Sequence, residues 1–419
     1  MNSGLTAQDV MLAAALIFGI ATACQVVAPK LRVPALVLLL PAGFLFGLAA
    51  PQWRADVILG PAFPAVVDLI VAVILFQGGM GLTAIRLPHK DRVLVRRLIG
   101  VGAPVTGVAA TLAAHVLLGL DWPIAVMLGT ILIVSGPTVL NPILDFAQPN
   151  ARVRGILTWE GTTLDPIGAL IAVVAFQIVK ASSSTSPAEA VVLFLTGVLV
   201  ALVAAAIGVV IFVVGGLLAR GNKTLGTQVL LGSVIVTAGL ANSITDDSGL
   251  LAALIMGITA PRLARRFGAS LSDATPFFDT IVSIGIGVLF VSIAALVPSP
   301  TVTTVLLPTL VVTAILMLVV RPLVVSACTR HTDLTTNERI FIGWMDPRGI
   351  VAAATASSVG AVLVSLQIPD ADQLLPAAFI VIAVTVTVYG LTAVPLARRL
   401  GIRASPDGTS TDPTTSAAD

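Results

Sequence analysis

The chain has 419 residues, of which 57% are hydrophobic and only 11% charged, and its formal net charge is +2. A soluble domain carries about 25% charged residues, so a soluble enzyme, a nucleic-acid binder and a disordered scaffold are all excluded. Cys24 and Cys328 lie far apart in or beside apolar stretches, and His89, His115 and His331 show no ligand spacing, so neither a disulfide framework nor a metal centre nor any other cofactor is expected.

Thirteen apolar segments occur in chain order, at 9–28, 33–49, 63–84, 95–119, 122–145, 152–179, 187–218, 225–243, 248–263, 275–297, 302–328, 337–362 and 373–401. They are of the order of the ~20 residues that cross ~30 Å of hydrocarbon. The first is not a cleaved signal peptide, because residues 1–9 carry no Lys or Arg. The expected fold class is therefore an all-α membrane protein with about 13 transmembrane helices. One transmembrane domain is expected over 1–403, with a short disordered cytoplasmic tail of Ser, Thr, Pro and Asp over 404–419 and no soluble regulatory domain after it.

Basic residues vote on orientation. With the N-terminus outside, nineteen of the 23 Lys and Arg fall in cytoplasmic loops, only Arg54 and Lys180 fall outside, and Arg321 and Arg348 lie within spans. External loops carry acids instead, including Asp121, Asp246, Asp247, Asp370 and Asp372. This positive-inside asymmetry places the C-terminus in the cytoplasm and supports the odd span count.

Function is sought where apolar uniformity fails. Span 5 is interrupted by Ser135-Gly136-Pro137-Thr138 and then Asn141-Pro142, and span 12 by Asp346-Pro347-Arg348-Gly349. A proline inside a helix frees the carbonyl four residues before it, here those of Ile133, Thr138 and Gly343. Free carbonyls at membrane depth persist only where they line a polar cavity or are buried in protein. If span 7 is a connector, the chain divides into two inverted six-helix halves, each broken in its fifth helix. Matched breaks of this kind point to the binding site of an inverted-repeat transporter.

Span 6 carries Glu160 and Asp165. Thr158, Thr162 and Asp165 share one helix face, and Pro166 frees the carbonyl of Thr162. Glu160 lies about 140° round the helix from Asp165, so the two carboxylates are expected to face different neighbours. A charge at the bilayer centre costs several kcal/mol unless paired or wetted. Arg348 is the expected partner of Glu160, in a structural ion pair that leaves Asp165 unpaired. Arg321 is expected to snorkel toward the cytoplasmic surface. Asp68 and Asp279 are read as lining an entrance or capping a helix, and His115 as a packing residue. Oxygen-rich surroundings suit Na⁺, K⁺ or H⁺ over a soft metal.

These residues resemble the sodium/proton exchanger family, specifically prokaryotic NhaP-type members of the cation:proton antiporter-1 branch. The resemblance is carried by Ile74 to Gly79 in span 3, Trp159 to Pro166 in span 6, Ser248 to Ala252 opening span 9, and Gly343 to Gly349 in span 12. It implies a membrane homodimer in which a core domain moves against a dimerisation domain, with crossed unwound helices at spans 5 and 12. Asp165 matches the cation- and proton-binding aspartate, Glu160 and Arg348 a paired glutamate and arginine, and Ser135 a position that offers a backbone oxygen to the ion. Thr162 joins the expected cation site, and Gly136, Pro137, Pro347 and Gly349 form the breaks. Two positions depart from the family: Gly136 stands where an aspartate is common, and Leu164 where an asparagine is common. The expected function is antiport of cytoplasmic Na⁺ or K⁺ against external H⁺ in the plasma membrane, serving pH homeostasis. Cation and proton are expected to compete for one buried aspartate, and the exchange to be electroneutral. A proton-coupled transporter of a small organic anion held by Arg348 is the alternative. A channel lacks its filter motif, and an intramembrane enzyme its catalytic constellation.

Overall fold

The apolar periodicity becomes helix almost everywhere. The computed structural model describes residues 6–31, 33–84, 87–181, 187–218, 222–245, 248–266 and 274–403. In chain order these form α1 (Ala7–Leu31), α2 (Leu36–Ala49), α3 (Phe63–Ala84), α4 (His89–Leu118), α5 (Trp122–Ile131), α6 (Pro137–Ala147), α7 (Ala151–Ala181) and α8 (Pro187–Leu218). Next come α9 (Lys223–Ile244), α10 (Ser248–Arg266), α11 (Thr275–Ala295), α12 (Thr301–Cys328), α13 (Thr336–Trp344), α14 (Ile350–Ser365) and α15 (Ala371–Arg399). Among the described residues the sole extended pairing is an isolated bridge between Pro149 and Arg403. Eight of the described helices are long and apolar enough to cross a membrane, and α2, α5, α10 and α14 are shorter apolar helices. The expected tail, 404–419, lies outside the described residues, as do Arg32, Arg86, Arg220, Asp246 and Asp247 of the charge distribution.

Glycines set how closely the helices cross. A side chain at Gly43 of α2 would stand 2.6 Å from the Val291 carbonyl of α11, and one at Gly79 of α3 would stand 2.8 Å from the Leu254 carbonyl of α10. Lipid tails are as apolar as the side chains, so membrane helices associate through the van der Waals contact that such close backbone approach permits. α1, α2 and α11 pack together, as do α3, α8, α9 and α10. A second set, α4 to α7 with α12 to α15, contains both broken spans.

Three π turns interrupt these helices, at Leu98–Gly102 and Ala114–Leu118 in α4 and at Leu316–Val320 in α12. A π turn inserts one residue and so rotates the rest of the helix, often at a functional site. The third ends directly before Arg321.

One end of the molecule gathers the starts of α4, α7 and α13 and the end of α15. Arg152 donates twice to Asp91, at 2.8 and 3.1 Å, and also pairs with Asp333. Glu338 completes a capping box with Thr335 at the start of α13 and accepts Asn150 Nδ2 at 3.0 Å. The backbone N–H of Asn150 donates to the Ile402 carbonyl at 2.7 Å, and the side-chain Nδ2 of Asn337 to that of Leu400 at 2.9 Å. This is called the basic end below.

Candidate functional site

Both expected breaks are real, and they touch. α5 stops at Ile131, and the backbone is extended by Gly136 before Pro137 opens α6. At the first helical position the missing proline N–H is no loss. α13 stops at Trp344, and residues 345–349 are non-helical until Ile350 opens α14. A side chain on Gly349 would sit 3.2 Å from the Gly136 nitrogen, so each break crosses the other at a glycine. Ser135 Oγ donates to the Pro347 carbonyl at 3.3 Å, and Arg348 Nη1 to the Ile133 carbonyl at 3.4 Å. The Ile133 carbonyl lies in the non-helical stretch before Pro137, so an arginine from one break satisfies a carbonyl of the other.

The carboxylates of α7 then part company. Glu160 is bound by Arg321, with Nη1 to Oε1 at 2.5 Å and Nη2 to Oε2 at 2.9 Å. The same Nη2 donates to the carbonyls of Met345 at 3.1 Å and Ile342 at 3.3 Å, which the end of α13 leaves open. This corrects two expectations. Glu160 does not pair with Arg348, and Arg321 does not snorkel: it is 5% exposed, turned inward at the end of the α12 π turn. Arg348 is instead held by Asp346, two residues earlier, at 2.8 and 3.4 Å. The extended backbone of the break puts that carboxylate beside its own arginine, a partner that helical spacing does not suggest.

Asp165 is left over. It is 2% exposed, its Oδ1 is buried with no hydrogen-bond partner, and its carboxylate lies against Gly136. A β-carbon at 136 would stand 2.6 Å from Asp165 Oδ2. The glycine that departs from the family pattern is therefore what lets the carboxylate approach the break. Gly161 and Gly168, on the same face of α7, let it close on α5 and the break: their side chains would meet the Ser135 carbonyl at 3.1 Å and Val134 at 2.6 Å. Of the buried charges here, Glu160, Asp165 and Asp346 oppose Arg321 and Arg348, which leaves one carboxylate in excess. One monovalent cation or one proton would neutralise the cluster.

Thr138 was not among the expected ligands. Its Oγ1 is buried without a hydrogen-bond partner, and it lies 3.6 Å from the position a side chain at Gly349 would take. Two orphaned oxygens, Thr138 Oγ1 and Asp165 Oδ1, thus flank the crossing point. The sequence signal was present, because a hydroxyl one residue after the break proline sits in the first turn of the new helix. Thr162 is buried on α7, its methyl facing Gly78 of α3.

Among the described residues, one cavity leads to the site. A cavity of about 610 Å³ runs from Asp145, Thr275 and Met80 at the basic end inward to Thr138, Thr158 and Thr162. Asp279 lines it and accepts a hydrogen bond from Gln77, and Thr158 Oγ1 donates to Asn141 at 3.2 Å. On the opposite side Asp68, Ala169, Thr355 and Ser358 enclose only about 20 Å³. His115, remote from all this, hydrogen-bonds the Leu120 carbonyl at 2.7 Å and stacks on Trp122.

Residues 12–399 match a protein-family model described as sodium/hydrogen exchanger, transmembrane. Among solved structures, the sodium proton antiporter MjNhaP1 from Methanocaldococcus jannaschii at pH 8 is 23% identical with a TM-score of 0.73, over 94% of this chain and 99% of that one. An electron-microscopy map of the same antiporter gives 20% identity and a TM-score of 0.74, over 96% and 100% of the two chains. At these identities the likeness establishes the fold, a nearly all-helical one of the NhaP antiporter type.

Proposed function

The chain belongs to the sodium/hydrogen exchanger family, whose members are multi-pass membrane transporters and not enzymes, and from that premise we propose that it exchanges one monovalent cation, Na⁺ or K⁺, for one proton at Asp165. The observation that carries this reading is the unpartnered Asp165 Oδ1 at the crossing of two helix breaks, with the neighbouring charges already paired. A buried carboxylate without a partner is costly in its ionised form, so it holds either a proton or a cation, and each displaces the other. Thr138 Oγ1 and the Ser135 carbonyl supply the hard oxygens beside it, and Thr162 stands on the approach from the cavity. Cation and proton leave the site with the same charge, so the exchange is electroneutral.

The remaining parts of the reading rest on the same arrangement. The basic end faces the cytoplasm by the positive-inside rule, giving thirteen crossings with the N-terminus outside the plasma membrane. The large cavity is then the cytoplasmic approach and the small one the closed external side. Two inverted halves, working as a homodimer in the service of pH homeostasis, would open these sides in turn. The organic-anion alternative loses its anchor, because Arg348 is engaged by Asp346 and by the Ile133 carbonyl.

The test is exchange in proteoliposomes for the wild type and Asp165→Asn. The variant removes the titrating group at nearly constant volume, so a folded protein with no cation-driven proton flux is expected with Na⁺, K⁺ or Li⁺. Retention of exchange in Asp165→Asn, or a response to organic anions alone, would overturn the assignment.

A further inference from the structure

A third cavity lies apart from these two. It measures about 640 Å³ and opens at the basic end between the last turns of α12, the whole of α13 and the end of α15. Its walls are of two kinds. Pro322, Val325, Ile340 and Leu396 make an apolar slot, while Arg339 and Arg399 stand at its edge.

Among the described residues neither arginine is paired with a carboxylate. Arg339 donates Nη2 to the Thr332 carbonyl at 2.9 Å, but its Nε is buried without a hydrogen-bond partner. Arg399 is exposed, and among the described residues no carboxylate pairs with either. Elsewhere at the same end the guanidinium of Arg152 is matched by Asp91 and Asp333. A buried donor left open is expensive, so this cavity lacks an acceptor that its charge and shape both describe.

We propose that the cavity is a binding site for an anionic phospholipid of the adjoining leaflet, with the phosphate on Arg339 and Arg399 and an acyl chain in the apolar slot. Basic pockets between membrane helices suit anionic headgroups. A free phosphate ion would satisfy the arginines and leave Val325, Ile340 and Leu396 uncovered, whereas a lipid covers both. The volume is that of a small-molecule site, too small for a folded partner. Occupancy has a consequence for the ion site. α13 forms one wall and runs directly into the break at 345–349, while Pro322 of the opposite wall is next to Arg321, the partner of Glu160. The lipid therefore clasps the two elements that meet at Arg321.

The experiment uses the full-length protein in neutral detergent, titrated with phosphatidylglycerol, phosphatidylcholine or inorganic phosphate. Bound lipid is counted by native mass spectrometry and the melting temperature is recorded in parallel. Phosphatidylglycerol should be retained and raise the melting temperature, while phosphatidylcholine and phosphate do neither. Arg399→Gln, on an exposed side chain, should weaken phosphatidylglycerol binding about fivefold, the usual worth of one arginine at an anionic membrane surface. Arg339→Gln should do at least as much. Arg398→Gln, exposed but outside the cavity, is the control and should bind as the wild type does. The proposal falls if both lipids act alike, if phosphate alone reproduces the effect, or if all three variants lose binding equally.

Discussion

The two helix breaks meet at Gly136 and Gly349, yet they are built from opposite materials. The break between α5 and α6 carries no charge: it offers a serine, a glycine and open carbonyls. The break between α13 and α14 carries Asp346 and Arg348, which neutralise one another across 2.8 Å. The contrast teaches where the unpaired charge lies. Neither break supplies it; it comes from Asp165 on the unbroken α7, pressed against the break that has no charge of its own. On the same helix Glu160 is consumed by Arg321, which also ties down the carbonyls at the end of α13. One region is thus electrostatically closed and structural, and the other is open by one charge.

The largest expected effect breaks the closed region. Arg321→Gln leaves Glu160 buried and unpaired and two carbonyls unsatisfied, a loss of about 3–5 kcal/mol, read as a collapse in folded yield and melting temperature. Glu160→Gln should be comparably harmful. A double-mutant cycle should show strong coupling between 160 and 321 and little between 160 and 348; the reverse would restore the pairing expected from sequence.

Next comes the open region. Gly136→Ala places a β-carbon 2.6 Å from Asp165 Oδ2, and overpacking of this kind costs about 1–3 kcal/mol. Exchange should fall more steeply than stability, because the displaced group is the proposed ligand. Equal wild-type exchange in this variant would mean that the carboxylate does not work from its place against the break.

A smaller effect belongs to Thr138→Val. It removes a hydroxyl that has no hydrogen-bond partner within the protein, so the melting temperature should hold while the cation concentration for half-maximal exchange rises several-fold. An unchanged cation dependence would remove Thr138 from the site. The smallest effect lies at the basic end. Arg152 holds the Asp333 carboxyl below the usual carboxylate range, chiefly by its hydrogen bond. A depressed carboxylate contributes stability above its unfolded value, near 3.9, and loses it as the pH falls through the lower folded value. Asp333→Asn should be nearly silent at neutral pH, since exposed pairs contribute little, and any gap should close on acidification below about pH 4.

Much of this was legible in the chain itself. The nearly all-helical fold, both breaks and the distinct surroundings of Glu160 and Asp165 can be read from hydropathy, proline and the 140° between the two carboxylates. The wrong partner for Glu160 has a physical origin. The sequence shows Asp346 as part of a break and not as a counter-charge, because local pairing across two residues needs extended backbone. Arg321 was read from depth along a regular helix, and a π turn that no propensity announces turns it inward. In the sequence Gly136 is only a departure from a common aspartate, and the packing of Asp165 against it shows that its lack of a side chain is what makes room.

The central claim is that Asp165 alone titrates, and the reversal point measures it most directly. Purified protein is reconstituted in liposomes with the membrane potential clamped by an ionophore for an ion that the protein does not carry. A cation gradient is set against a pH gradient until net proton flux stops. With Glu160 engaged by Arg321 and Asp346 by Arg348, exchange at Asp165 alone releases one proton for each cation bound, so the cation and proton gradients should cancel when their concentration ratios are equal, at any clamped potential. Balance at a proton ratio equal to the square root of the cation ratio, shifting with the potential, would show that a second acid carries a proton and would contradict the account.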